Sequence, residues 1–129
     1  MNTILVIDDN TDFRRSFVEV LELENLVTLE AENGLIGLQM IQQYAPDIIL
    51  CDVEMPVMNG IELLRQVKAN PLLAAIPFVM ITGQSDEQTR QTSQDLGVEA
   101  FLTKPVAITE FLSTIDHFLN AARPTVSTV

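Results

Sequence analysis

Five short apolar runs punctuate this chain, and a stretch long enough for a helix follows each of them. The runs are Thr3–Ile7 (TILVI), a weaker Val27–Glu30, Asp47–Cys51 (DIILC), Pro77–Ile81 (PFVMI) and Glu99–Leu102 (EAFL). Apart from the weaker Val27–Glu30 (VTLE), none alternates apolar with polar. Near-continuous apolarity predicts strands buried on both faces, as in a parallel sheet. The intervening stretches carry a helical period instead. One starts near Asp12 and sets Phe13, Phe17, Val20 and Leu21 on one face; another covers Gly34 to Tyr44. A third, Gly60 to Ala69, spaces Ile61, Leu64 and Val67 or Lys68 by a helical turn. The last, Ile108 to Ala122, carries Ile108, Phe111, Leu112, Ile115, Phe118 and Leu119 on one stripe, the strongest helical signal present. Strands alternating with helices in a chain of 129 residues predict one α/β domain, a doubly wound (βα)5 sheet with helices on both faces. The domain is expected over residues 1–122, with 123–129 (RPTVSTV) a tail or the start of a linker.

Composition narrows the setting. With 47% hydrophobic and 19% charged residues the chain is expected to be globular. No apolar run approaches the ~20 residues needed to span a bilayer. The stretch Ile4–Ile7 is cut short by two aspartates and lacks a basic leader, so no signal peptide is read and a cytoplasmic location is expected. One cysteine, Cys51, allows no internal disulfide and reads as a small buried hydrophobe. The formal net charge of −11 repels phosphate backbones and anionic membranes, so neither nucleic acid nor membrane is expected as a partner.

The segment CDVEMPVMNG, residues 51–60, ends an apolar run in Asp52 and continues at once into turn residues. In a doubly wound sheet ligands bind beyond the carboxyl ends of the strands. Those ends read Asp8-Asp9, Asp52, Thr82-Gly83 and Thr103-Lys104-Pro105. Three carboxylates meeting there would repel one another and raise their pKa values, unless a hard divalent cation were held between them. A carboxylate is also a nucleophile toward phosphorus, and a lysine and a hydroxyl nearby can hold phosphoryl oxygens. The inventory fits metal-assisted phosphoryl transfer onto Asp52.

The stretches VIDDN, EAENG, ILCDVEMPVMNG, VMITG and AFLTKP follow one another in an order and at a spacing that resemble the receiver domain of two-component response regulators, of the CheY-like kind. The resemblance covers nearly the whole chain. It implies a flavodoxin-like strand order 2-1-3-4-5, which periodicity does not give. It implies Asp52 as phosphoacceptor, and Mg²⁺ held by Asp8, Asp9, Asp52 and the Glu54 main-chain carbonyl, with Asp9 the closer ligand of the first pair. Thr82 and Lys104 would contact the phosphoryl group, Thr82 and Phe101 would act as switch residues, and Lys104–Pro105 would be a cis peptide. The donor would be a sensor histidine kinase or a histidine phosphotransfer protein, and the output an altered contact with an unknown partner protein or domain, or a phosphorylation-dependent homodimer. Such a domain catalyses only its own phosphorylation and slow dephosphorylation. Departures are mild: Gly83 for a common Ala, Phe101 for a frequent Tyr, and polar Gln94 and Asp95 where apolar packing is common.

Two other readings stay open at this level. An Mg²⁺-dependent aspartyl-phosphate phosphatase of similar architecture would want a general acid two residues past the nucleophile, where Glu54 stands; the Asp8-Asp9 pair and the MPVMNG loop speak against it. A flavodoxin-like nucleotide binder would want a Gly-rich loop after the first strand, which is missing. His117 falls off the last helix's apolar stripe and is expected to be exposed. The segment Gln84–Asp95 contains no apolar residue, though Ser85 and Gln88 could form a capping box. A helix with so little to bury should be locally unstable, and the surface of the fourth helix, fifth strand and last helix is the expected output face.

Overall fold

The computed structural model describes residues 2–83 and 86–122. Five strands, β1 (Thr3–Ile7), β2 (Val27–Ala31), β3 (Ile48–Cys51), β4 (Phe78–Thr82) and β5 (Ala100–Thr103), alternate with five helices. These are α1 (Thr11–Leu23), α2 (Gly34–Tyr44), α3 (Gly60–Ala69), α4 (Glu87–Asp95) and α5 (Ile108–Ala122). All strand pairs are parallel, and the order is β2-β1-β3-β4-β5. The fold is thus the doubly wound, flavodoxin-like (βα)5 sheet.

Side chains alternate across the sheet, which makes two cores. Leu5, Ile7, Ile49, Cys51, Phe78 and Met80 face one way and pack with Ile41 of α2 and Leu63, Leu64 and Val67 of α3. Ile4, Val6, Ile48, Leu50, Val79 and Ile81 face the other way, onto Val18 and Leu21 of α1 and Phe111, Ile115 and Leu119 of α5. Burial on both faces is why β1, β3 and β4 read as unbroken apolar runs, whereas the edge strands β2 and β5 are only partly buried, contrary to the expectation of burial for every strand. Residues 123–129 lie outside those described.

The structure corrects several details. β4 and β5 each sit one residue later than the apolar runs suggest; Glu99 lies before β5 and not in it. Its carboxylate accepts the Phe78 amide and the Lys68 ammonium. Two residues assigned to apolar faces are exposed: Ile108 at 60% and Phe13 at 43%. His117 is exposed and Cys51 buried, as expected.

Helix starts at the carboxyl end of the sheet follow one rule. Asn10, Asn33 and Asn59 each accept the amide three residues on (Phe13, Ile36 and Glu62) at 2.9–3.0 Å. At Gly60 the backbone runs so close to β3 that a methyl group would collide with the Asp52 carbonyl, so Ala there would push the acidic strand tip aside. For α4 the expected Gln84–Ser85 start lies outside the described residues, and the N-cap is Asp86, which accepts the Thr89 amide at 2.7 Å.

That cap gives a pH dependence. The Thr89 amide, then its hydroxyl, hold the Asp86 carboxyl below the usual carboxylate range. A lowered pKa stabilises the fold above the carboxyl's unfolded pKa, and the contribution is lost as pH falls through the folded one. α4 buries only Ser93 and has little else to hold it. Protection factors for residues 88–95 should therefore drop selectively at acid pH, and already at neutral pH in Asp86→Ala. Equal protection in variant and wild type at neutral pH would show that the cap contributes nothing.

Candidate functional site

Register brings the acidic residues together. Ile7 stands opposite Cys51 in the β1–β3 pair, so the next residues, Asp8 and Asp52, leave the sheet side by side. The Asp52 amide donates to the Ile7 carbonyl at 3.0 Å, and the Asp8 amide to Ala31 of β2 at 3.1 Å. On the other side Thr82 pairs with Thr103, and the Lys104 amide donates to the Thr82 carbonyl at 2.9 Å. Four strand tips thus deliver Asp8, Asp52, Thr82 and Lys104 to one end of the sheet.

Lys104 crosses the gap between them. Its Nζ donates to Asp8 Oδ2 at 2.8 Å and to Asp52 Oδ2 at 3.2 Å. The three side chains are 10%, 3% and 12% exposed respectively. The other Asp52 oxygen, Oδ1, accepts the Val53 amide at 2.6 Å. Ligand oxygens of Asp8, Asp9 and Asp52 all lie within 4.8 Å of one another. Burial pushes the Asp8 carboxyl up, and the Asp52 charge adds to that. Hydrogen bonds from Lys104 and the Asn10 amide act against it. Three hard oxygen donors in a small volume fit Mg²⁺, and the inward reach of Lys104 shows that the cluster draws positive charge.

Above the cluster lies an open cleft of about 590 Å³, walled by Asp9, Asn10, Phe13, Glu54 and Met55 among others. Asp9, Asp52, Glu54 and Lys104 therefore share one cleft. Thr82 is buried at the tip of β4. Phe101 stands apart from the cleft, on the face packed against α2 and α3, with the Arg90 guanidinium 4.6 Å from its ring centre. Lys104–Pro105 is cis. The Cys51 thiol, next to Asp52, is pushed far up, first by burial and then by the Asp52 charge, so it stays protonated and unreactive.

Two residues escaped the sequence reading. Phe13 lies with its ring centre 4.3 Å from Lys104 Nζ. Arg14 donates from Nη1 to the Asp8 carbonyl at 2.8 Å and from Nε to Glu30 at 3.0 Å. Arg15 holds the other Glu30 oxygen at 2.6 Å. The clamp fixes the peptide between Asp8 and Asp9, and so the directions in which both carboxylates leave it. The adjacent basic pair in the sequence was the only visible signal.

A parallel sheet of this order, with clustered carboxylates and one inward lysine at its strand tips, defines a CheY-like receiver. The chain belongs to the response regulator receiver domain family, whose sequence model matches residues 4–116, and is a receiver domain of two-component signalling. It is 27% identical over 120 residues to the polar-differentiation response regulator DivK of Brucella anthropi, across 93% of this chain and 98% of that protein. It is 32% identical over 122 residues to the phosphate regulon transcriptional regulatory protein PhoB of Pseudomonas aeruginosa, across 95% of this chain but only 53% of PhoB. Among solved structures, the signal receiver domain of a signal transduction histidine kinase from Syntrophus aciditrophicus superposes with a TM-score of 0.90 at 29% identity, covering 100% of this chain and 98% of that one. Receiver domains are generally signalling modules that use Mg²⁺ and meet a kinase or phosphotransfer protein. Among the described residues no helix is long and apolar enough to cross a membrane.

Proposed function

We propose that this domain, residues 1–122, accepts a phosphoryl group on Asp52 from a partner's phosphohistidine and passes the signal on as a changed protein contact. The observation that carries this reading is the lysine bridge: Lys104 Nζ at 2.8 Å from Asp8 and 3.2 Å from Asp52, between tips of separate strands. Mg²⁺, held by Asp8, Asp9, Asp52 and the Glu54 main-chain carbonyl, would supply charge neutralisation for the incoming phosphoryl oxygens. The Val53 amide occupies Asp52 Oδ1, which leaves Oδ2, beside Lys104, as the nucleophile. Its lone pair forms the new P–O bond while the P–N bond to the donor imidazole breaks, and the bonding pair returns to the ring nitrogen. The Lys104 ammonium and the Thr82 hydroxyl then hold phosphoryl oxygens at the floor of the open cleft. Water later attacks phosphorus, freeing inorganic phosphate and restoring the Asp52 carboxylate. Treatment with acetyl phosphate, with and without Mg²⁺, tests this: peptide mass spectrometry should find the adduct on Asp52 and only with the cation.

The output face in this reading is α4, β5 and α5. α4 has a single buried side chain, and Phe101 of β5 rests against Arg90 of that same helix. A pull on Thr82 draws on the loop that leads into α4, and Phe101, lacking a hydroxyl, turns inward with no hydrogen bond to lose. Beryllofluoride with Mg²⁺ should change hydrogen exchange across residues 86–104. Unchanged exchange there, alongside a tightened loop at Asp52, would rule out this route.

A further inference from the structure

Of the two apolar side chains in the cleft wall, Met55 packs on a core and Phe13 does not. Phe13 is 43% exposed and stands outside both core clusters, whereas Phe17, one turn further along α1, stacks on Phe111 at 5.0 Å. Its place is nevertheless fixed, because its amide is the donor that Asn10 Oδ1 caps at 3.0 Å. From the first turn of α1 the ring reaches the Lys104 ammonium, 4.3 Å from ring centre to Nζ. Lys104 comes from the far end of the chain, and its ammonium also touches the carboxylates of Asp8 and Asp52.

An aromatic face attracts an ammonium through its quadrupole, and it does so without accepting a directed hydrogen bond. The carboxylate contacts of Lys104 are those that a phosphoryl group or a divalent cation on the cluster would compete for. The ring contact is not in that competition. It can hold the ammonium at the same depth before and after a new oxygen partner arrives, with the N–H bonds left for oxygens.

We infer that Phe13 is a positioning residue for phosphoryl transfer, its ring face holding the Lys104 ammonium over Asp52 while the lysine exchanges carboxylate for phosphoryl partners. The role rests on the reading of Asp52 as phosphoacceptor and names a residue which that reading does not use. A plain wall of the cleft would be served by any side chain of similar size; positioning requires a π face and acts only through Lys104.

Two measurements on the full chain test this. The first needs neither Mg²⁺ nor phosphoryl chemistry. The ε-methylene protons of Lys104 should show an upfield ring-current shift by NMR that vanishes in Phe13→Leu and survives in Phe13→Tyr. The second is the rate of phosphorylation by acetyl phosphate with Mg²⁺. Phe13→Leu should slow it roughly two- to thirtyfold, the range a cation–π contact spans, while Phe13→Tyr stays close to wild type. In a Lys104→Ala background Phe13→Leu should slow it no further. An unshifted lysine in wild type overturns the proposal. So does a Phe13→Leu protein as fast as wild type, an equal loss in Phe13→Tyr, or a loss that persists without Lys104. Failure of the parent reading looks different: Lys104→Ala would react like wild type, or the adduct would miss Asp52, and the positioning role would fall with it while the ring-current shift remained.

Discussion

Asp52→Asn, treated with acetyl phosphate and Mg²⁺, will acquire no stable phosphoryl adduct, yet will fold. The chemical loss is complete because the carboxamide offers no carboxylate lone pair to phosphorus and cannot form an acyl phosphate. The fold survives because the shape does not change: the side-chain oxygen can still take the Val53 amide, and β3 beneath it is four buried residues locked between β1 and β4. Removing one of three clustered negative charges also relieves repulsion on Asp8. The two readouts are mass spectrometry and a thermal melt. A normal adduct in the variant would move the acceptor elsewhere. A collapsed melt would make Asp52 a structural residue first.

The second large effect belongs to Lys104. In Lys104→Ala the rate of phosphorylation should fall about a hundred- to a thousandfold, the usual cost of losing one preorganised group that holds developing negative charge. Divalent-cation binding should move the other way and tighten, because the ammonium occupies the space between Asp8 and Asp52 that a cation would neutralise. The metal-free variant should also be less stable at neutral pH. Asp8 is already pushed up by burial, and the Lys104 hydrogen bond is the largest influence acting against that. Without it the folded pKa rises further. Stability is then retained below the carboxyl's unfolded pKa and lost as pH rises through the folded one, so the deficit grows from acid toward neutral pH. Thermal melts against pH, with and without Mg²⁺, check both signs. A variant that binds Mg²⁺ less tightly than wild type would mean that Lys104 supports the metal site instead of competing with it.

Much of this was legible in the sequence because buried parallel strands write themselves as apolar runs, and the residues that end those runs must be the ones at the rim. Asp8 and Asp52 each terminate such a run, and Lys104 follows the last one after a single threonine. The strand order was not legible from periodicity, which says that a strand is buried and nothing about its neighbours. Nor was the pairing of Ile7 with Cys51, on which the meeting of Asp8 and Asp52 depends. Phe13 was misread because Phe13 and Phe17, four apart, look like one apolar face; only the start of α1 at Thr11 turns the first ring toward the cleft. Ile108 failed at the opposite end for the same reason, as a first-turn residue whose period continues past the body it could pack on. Ser85 and Asp86 are both good caps, and the sequence offers no means of choosing between neighbours. Arg14 acts on a main-chain carbonyl, a contact that no residue pattern encodes.

The bond between Lys104 and Asp8 joins positions 96 residues apart. During synthesis the two carboxylates leave the ribosome well before the lysine, and β5 is the last strand to arrive. A nascent or truncated chain ending before β5 can stack its early strands but carries its acids without their counter-charge. Contacts of such long range form only once the intervening loops have closed. In the proposed reading, readiness to take up a phosphoryl group therefore waits for β5, and a half-made copy stays deaf to it.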